Sequence, residues 1–286
     1  MKRQYHALIA GLPQLTPDAK PPYTMKEFWD ENQSSFSSLP RWQGLTAALS
    51  DRQLVRLLLL PADHRNIATI LYESPDEWDS LGSYSRDQIE QDLAQAREEE
   101  GRRSHLLPYL FDYARKWHSC DAPPSRIEML EELHIAYCHY AQRCGNTFIA
   151  QWFTLSSHLR NAMLALRARK GGVPFADAIV GTDPISEAIR TSHLKDFGIS
   201  DEFPIITRLM AIADEEDIYE REHKIDTLKW SWLEEQLTFH YFTIEQLFAH
   251  IIQLQLIERW TRLDKSEGEA RFKGIVLGMK ETIKNK

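Results

Sequence analysis

The chain has 286 residues, a formal net charge of −8, 43% apolar residues and 27% charged residues. These proportions are those of a folded globular protein, and a chain of this length buries a large core without disulfides or metals. The acidic balance argues against nonspecific nucleic-acid binding and against a general affinity for anionic membrane surfaces, because both require a basic face.

The predicted elements begin, in chain order, with a short opening segment and a proline-rich stretch. Residues 5–12 could at most run extended beside helices, and residues 12–23 contain four prolines and must be irregular. Helices are predicted near residues 25–35, 51–72, 75–80, 86–100, 107–119, 125–143, 148–166, 184–194, 204–215, 217–240, 244–263 and 267–284. The helix at 148–166 should stop at Gly171-Gly172, and the helix at 244–263 is apolar around most of its circumference, which predicts a central position.

Helix-start patterns support this all-α fold class. In the capping box, a hydroxyl and a side chain three residues later each satisfy a free backbone N–H. The glutamate form occurs at Thr24–Glu27, Ser74–Glu77 and Ser266–Glu269, and the glutamine form at Ser50–Gln53, Ser85–Gln88 and Thr243–Gln246. Asp183 followed by Pro184 is a further N-cap with proline at the first helical position. Together with the helical periodicity, these patterns predict a multi-helix protein.

Two links, at residues 120–125 and 171–184, are candidate lobe boundaries, and neither is long enough for a free tether. We therefore expect residues 1–286 to form a single compact helical unit. Its possible lobes are residues 1–120 together with 244–286, residues 121–172, and residues 173–243.

Cysteine usage and apolar run lengths predict a cytoplasmic protein that does not enter the bilayer. Cys120, Cys138 and Cys144 show no paired spacing and are interpreted as reduced thiols. The opening apolar stretch stops at Pro13, which is too soon for a signal sequence or a membrane span.

Metal-binding hypotheses arise from two Glu-x-x-His spacings, Glu131–His134 and Glu220–His223. Two such pairs on helices, with two more glutamates, build di-iron centres in ferritin-like bundles. In addition, Cys138 shares a helix face with the first pair, which suggests zinc, although no fourth ligand is evident. Two matches are close to what chance produces, so ordinary interior or surface positions are favoured, and no metal or other cofactor is predicted.

An acidic run, Asp214 to Asp217 with Glu220, resembles the magnesium-diphosphate site of helical isoprenoid synthases. Those enzymes need a second metal-binding helix, for which the sequence offers no partner, so a solvated face or a basic partner is the preferred interpretation. No nucleophile elbow, P-loop, dinucleotide fingerprint or zinc-protease motif is present, and neither Asp63-His64 nor His118 with Asp121 has a nucleophile at a meaningful spacing. The sequence therefore predicts no catalytic residue and a protein that is not itself an enzyme.

Two further groups could contact partners. Arg167, Arg169 and Lys170 lie at a predicted helix C-terminus, where the helix dipole favours cations, although contact with an acidic partner also stays open. One indole of Trp230 and Trp232 could be an exposed interface anchor, while burial of both is the simpler expectation.

Three stretches together resemble a bacterial family encoded with V/A-type rotary ATPases, which is distantly similar to the stalk component of the ATPase known as the C (or d) subunit. They are residues 5–15 (YHALIAGLPQL) with Lys20-Pro21-Pro22 and the capped helix at Thr24, residues 159–170 (LRNAMLALRARK), and residues 254–260 (LQLIERW) with Leu263-Asp264. All three are packing and capping patterns, and they span the chain.

The resemblance implies a funnel-like, three-lobed, all-helical body without an active site. It implies a cytoplasmic position, peripheral at the inner membrane through protein partners. There the protein would connect the membrane rotor ring to the central shaft and transmit torque for ATP-coupled proton or other ion transport. The proline-rich opening departs from that ATPase component, in which a helix would be expected at this place. Two other classes stay open, namely a helical scaffold or assembly factor of another complex, and a helical metalloenzyme.

Overall fold

The computed structural model describes residues 5–17, 19–38, 49–75, 78–97 and 104–262. Within these ranges the protein contains α-helices, one short 3-10 turn and no strand, which confirms the predicted all-α, multi-helix fold class. The helices are α1 (His6–Ile9), α2 (Met25–Ser38), α3 (Asp51–Leu57), α4 (Leu60–Leu71), α5 (Arg86–Gln95), α6 (Pro108–His118), α7 (Arg126–Gln142), α8 (Thr147–Gly171), α9 (Pro184–Thr191), α10 (Ile205–Ala213), α11 (Ile218–Leu237) and α12 (Ile244–Arg262). None of these described helices combines the length and the apolar character needed to cross a bilayer.

The chain divides into two compact units. Unit 1 is drawn from residues 1–32 and 237–286, and unit 2 from residues 33–236. The single compact body and its three possible lobes stay a prediction. The predicted helix at 267–284 and the capping box at Ser266–Glu269 lie outside the described residues.

Local capping explains where several helices begin. Ser50 and Ser85 each form the predicted capping box with the glutamine three residues later. Thr24 forms it with Glu27, whose Oε2 accepts the Thr24 N–H at 2.7 Å. Asp183 caps α9 through bonds from the N–H groups of Ile185 and Ser186. At the other end of a helix, Gly172 adopts a left-handed φ of 64° and ends α8 as predicted.

Four local predictions are wrong. Residues 78–80 are not helical, because the side chain of Asn66 bonds both the N–H and the carbonyl of Asp79 and diverts that backbone from a helix. The helix predicted over 51–72 breaks at Leu58-Leu59, just before Pro61, which lacks an N–H to continue it. The remaining two concern Thr243 and the opening segment. Gln246 accepts from the N–H of Phe242 instead of Thr243, so the capping box there does not form, and residues 6–9 are helical instead of extended.

Two buried apolar clusters lie among the described residues of unit 2. One is formed by α4 to α7 and includes Ile89, Leu110, Met129 and Leu133. The other surrounds α8 and is completed by α9 to α11 and the segments before them. Helix α8 packs against α7, α9 and α10, so this 25-residue helix is the central element of unit 2.

Unit 1 is organised around α12, which is buried on several sides as predicted. Phe28 packs its ring 5.3 Å from that of His250, and the Tyr23 hydroxyl lies 2.7 Å from His250 Nε2. Glu258 Oε1 accepts the N–H of Met25 at 2.6 Å. Burial lowers the pKa of His250 to about 4, so the imidazole is neutral at physiological pH.

Arg169 joins the end of α8 to the segment that follows α9. Its guanidinium lies 4.1 Å from the centre of the Phe197 ring and donates to the carbonyls of Leu194 and Ser192. We expect Arg169→Lys to lower the free energy of unfolding by about 1–2 kcal/mol, because an ammonium cannot make both bonds and stack on the ring. The exposed neighbour Lys170 provides the control. Lys170→Arg should stay within about 0.5 kcal/mol in urea denaturation, and equal losses in the two variants would contradict the role of Arg169.

Candidate functional site

Three aromatic side chains are exposed on the turn between α11 and α12 in unit 1. Phe239 is 88% exposed, Tyr241 68% and Phe242 37%. We call residues 238–243 the aromatic turn. Isolated exposed apolar residues are common on protein surfaces, but here three large aromatic side chains are exposed within four residues of chain. Exposed aromatic side chains concentrated in this way are typical of a surface that a partner covers.

The aromatic turn is held by the opening segment of the chain. The N–H of Tyr5 donates to the carbonyl of Phe242 at 2.7 Å, and the His6 ring lies 4.5 Å from the Phe242 ring. Gln246, in the first turn of α12, accepts the Phe242 N–H at 3.2 Å. Phe242 has a φ of 55°, a left-handed conformation that costs a non-glycine residue about 1–2 kcal/mol. These contacts keep the turn in a defined, strained conformation.

The three family-like stretches lie on three separate elements, which belong to the two units. The stretches at residues 5–15 and 254–260 both lie in unit 1. The first contains the residues that hold the aromatic turn, and the second is part of α12. The stretch at 159–170 forms the second half of α8, the central helix of unit 2. The aromatic turn was not predicted from the sequence. Four of the six residues before Ile244 are Phe, His or Tyr, and this concentration of aromatic residues could have indicated it.

The two Glu-x-x-His pairs have separate roles. Glu131 pairs with Arg160, and His134 lies 3.6 Å from the Cys138 sulfur. Burial raises the pKa of Cys138 to about 12, which disfavours the thiolate that a metal would need. Glu220 and His223 lie in the first two turns of α11. In the part of the chain that the structure describes, no group of three or more His, Cys, Asp and Glu side chains could hold a metal ion.

The acidic run forms the connection between α10 and α11. Lys170 pairs with Asp214, and Lys224 with Glu215, whose pKa is lowered by that hydrogen bond. Asp217 accepts the N–H groups of Tyr219 and Glu220 at the start of α11. The run therefore caps the start of α11 and forms ion pairs with two lysines of the same unit.

Asp63 and His64 are adjacent in sequence but bind different partners. Asp63 Oδ1 accepts the N–H groups of Ser83 and Tyr84 at 2.8 and 3.2 Å, and Oδ2 has no hydrogen-bond partner among the residues that the structure describes. Burial raises the pKa of this carboxyl to about 6. His64 Nε2 lies 2.8 Å from the Tyr109 hydroxyl, and burial lowers its pKa to about 3. Asp63 therefore holds the backbone of residues 83–84 against α4, while His64 joins α4 to α6.

The two tryptophans of α11 have different environments. Trp230 is buried and donates its Nε1–H to Glu234 at 2.9 Å. Trp232 is half-buried and lies against Phe148 and Trp152, with ring centres 5.9 and 6.0 Å away. The expected burial of both indoles is therefore correct for Trp230, while Trp232 keeps a partly accessible ring. Of the basic residues at the end of α8, Arg167 donates weakly to the carbonyl of Ala213 at 3.4 Å.

The comparisons with known proteins identify a family and no individual relative. No curated protein and no solved structure matches the chain. One family model, described as a protein of unknown function (DUF2764), matches residues 1–283, which is nearly the whole chain. The chain therefore belongs to the DUF2764 family.

Proposed function

We propose that this protein is a non-catalytic central-stalk subunit of a V/A-type rotary ATPase, which connects the membrane rotor ring to the central shaft. In this role it is peripheral at the cytoplasmic face of the inner membrane and is held there by protein partners. The choice of this assembly is supported by a sequence resemblance to the family encoded with these ATPases, which is carried by residues 5–15, 159–170 and 254–260. A protein of this kind works through its surfaces and its stiffness.

The observation that carries the proposal is the exposure of the aromatic turn. Phe239 and Tyr241 present apolar surface of the kind that anchors protein interfaces, where aromatic side chains contribute most of the binding free energy. Two of the three family-like stretches lie in the same unit as this turn, and one of them contributes the Tyr5 bond that holds it. The resemblance and the exposed surface thus point to the same part of the molecule.

The construction of unit 2 suits a torque-carrying connector. Helix α8 has 25 residues and is therefore about 38 Å long, capped by Asn146 and Gly172. Its buried face includes Ile149, Leu159 and Ala162. A long helix packed along its length against three others resists bending, which a part that transmits rotation requires.

The proposal is tested by purifying the tagged protein from native membranes that contain an intact V/A-type ATPase. We expect shaft and rotor-ring proteins to copurify with the wild type. Changing both Phe239 and Tyr241 to serine should reduce their recovery at least tenfold, since truncated interface anchors commonly cost about 2 kcal/mol or more each. The two side chains are exposed, so the variant should keep its unfolding midpoint.

Ile127→Ser provides the control for loss of exposed apolar surface. Ile127 is 79% exposed in unit 2, away from the aromatic turn in sequence and in unit, and its substitution should leave recovery unchanged. Purification of the wild type without other ATPase components, from membranes in which the complex is intact, would contradict the proposal.

The second candidate function is a helical scaffold or assembly factor of another complex, and the same exposed turn favours it. The two functions differ in the partners they predict. Stable recovery of a different set of proteins, lost in the Phe239 and Tyr241 variant and kept in Ile127→Ser, would establish the scaffold instead.

A further inference from the structure

The exposed apolar side chains of unit 2 concentrate at the carboxyl-terminal end of α8. Among the described residues of unit 2, five large apolar side chains are exposed. Four of these five lie on segments that meet at the end of α8, namely Val173, Leu194, Ile218 and Tyr219. Single exposed apolar residues are ordinary, but their concentration at one end of a unit indicates a surface that another molecule covers. We call residues 167–173, 192–196 and 213–220 the α8-end surface.

Hydrogen bonds from α8 bring the three segments of this surface together. Arg169 donates to the carbonyl of Leu194 at 2.6 Å, and Arg167 donates to the carbonyl of Ala213 at 3.4 Å. Residues two positions apart on an α-helix point in nearly opposite directions. The segments that contain Leu194 and Ala213 therefore flank the end of α8 on opposite sides.

The backbone that carries the exposed side chains is held in place. The N–H of Val173 donates to the carbonyl of Ala168 at 2.9 Å in the turn that ends α8. Asp217 accepts the N–H groups of Tyr219 and Glu220 where α11 begins. Because these segments are already ordered, a molecule that binds them pays little conformational entropy for fixing the surface.

The charges of the α8-end surface divide into two halves of opposite sign. The basic half has four cations and one carboxylate, which are Arg167, Arg169, Lys170, Lys195 and Asp196. The acidic half has five carboxylates, which are Asp214, Glu215, Glu216, Asp217 and Glu220. Lys195 and Glu216 form no ion pair among the described residues. Each half also carries two of the exposed apolar side chains, with Val173 and Leu194 on the basic half and Ile218 and Tyr219 on the acidic half.

We propose that a second copy of this chain docks on the α8-end surface about a two-fold axis, which places the basic half of each copy against the acidic half of the other. A two-fold interface uses the same patch on both partners, so the patch must complement itself. This surface complements itself in charge and offers apolar side chains in both halves. An anionic membrane would match the basic half but would be repelled by the five carboxylates of the acidic half. The surface belongs to unit 2 and the aromatic turn to unit 1, so the inference does not rest on the proposed function.

Sedimentation equilibrium of the full chain tests the proposal at concentrations of about 1 to 300 µM, which cover the dissociation constants of weak dimers. The surface variant changes Val173 and Ile218 to serine, one residue in each half. The matched control changes Phe239 and Tyr241 to serine, which removes the same number of exposed apolar side chains from unit 1. All four side chains are exposed, so both variants should keep the unfolding midpoint of the wild type.

We expect a monomer–dimer equilibrium whose dissociation constant rises at least tenfold in the surface variant and is unchanged in the control. Raising the NaCl concentration from about 50 to 500 mM should also weaken the wild-type dimer severalfold, because salt screens the opposite charges.

Four outcomes would overturn the proposal. They are a wild type that stays monomeric throughout, whether or not it binds anionic vesicles, a dimer whose affinity is unchanged by the surface variant or by salt, a dimer that is lost in the control, and growth into open-ended oligomers, which a two-fold contact does not allow. None of these results depends on other ATPase components, so failure here is distinguishable from failure of the proposed function.

Discussion

Changing Gly82 to alanine is expected to lower the free energy of unfolding of unit 2 by about 2–4 kcal/mol. A Cβ atom at this position would lie 2.6 Å from Asn66 Nδ2 and 2.8 Å from Asp63 Oδ1. Both of those side chains are fully buried and hold the 79–84 segment against α4 through four hydrogen bonds, so they cannot move aside without losing them. Urea denaturation followed by circular dichroism measures the loss.

Gly171→Ala is the matched control in the same unit. A Cβ there meets nothing closer than the Val173 Cγ2 at 3.6 Å, which is an ordinary contact. Because Gly171 is the last residue of α8, alanine should be neutral or stabilising by up to about 1 kcal/mol. If both variants unfold at the wild-type denaturant concentration, the close packing at Gly82 is not what holds this loop.

Asp63 and His64 are expected to cancel each other in the pH dependence of stability. The pKa of Asp63 is raised from 3.8 to about 6, so between these values the native state binds a proton that the unfolded state lacks, and this carboxyl stabilises the fold as the pH falls. The pKa of His64 is lowered from 6.5 to about 3, so there the unfolded state binds the extra proton, and this imidazole destabilises the fold as the pH falls. Each effect is about 1.4 kcal/mol per pH unit inside its window, with opposite sign.

Removing either residue should therefore expose the effect of the other. Relative to wild type, Asp63→Asn should lose about 2 kcal/mol of stability between pH 7 and pH 4.5, and His64→Gln should gain a similar amount over that interval. Urea denaturation at pH 7.0, 6.0, 5.2 and 4.5 gives both differences. Since each variant is compared with itself at pH 7, the constant cost of the substitution drops out. Parallel pH profiles of the two variants and the wild type would disprove the opposed titrations.

Local sequence signals were sufficient for most helices. Helix starts are set by hydrogen bonds between residues at most three positions apart, so they form independently of the rest of the fold. Examples are the Ser50–Gln53 and Ser85–Gln88 capping boxes and the Asp183-Pro184 N-cap. The same locality explains the failure at residues 78–80. The Asn66–Asp79 bonds join residues 13 positions apart and outweigh the local helix signal there.

The candidate surfaces depend on long-range packing and could not be located from spacing. The aromatic residues at 239–242 follow α11 without any break signal in the sequence, and it is the end of that helix at Leu237 that places them on a turn. Likewise, Trp230 is buried and Trp232 is partly accessible because of the face that α11 turns towards α8. The spacing of two tryptophans two positions apart does not show which face that is.

Unit 1 is assembled from two segments that lie on either side of unit 2 in sequence, and this affects the order in which the chain matures on the ribosome. Residues 1–32 are made before unit 2, but their packing partners follow residue 236, which at about 5–20 residues per second is a delay of roughly 10–40 s. Unit 2 is continuous in sequence and becomes complete before α12 is made. During synthesis the amino-terminal segment therefore waits while the whole of unit 2 is finished, and premature termination after residue 236 would leave unit 2 whole and unit 1 without its central helix.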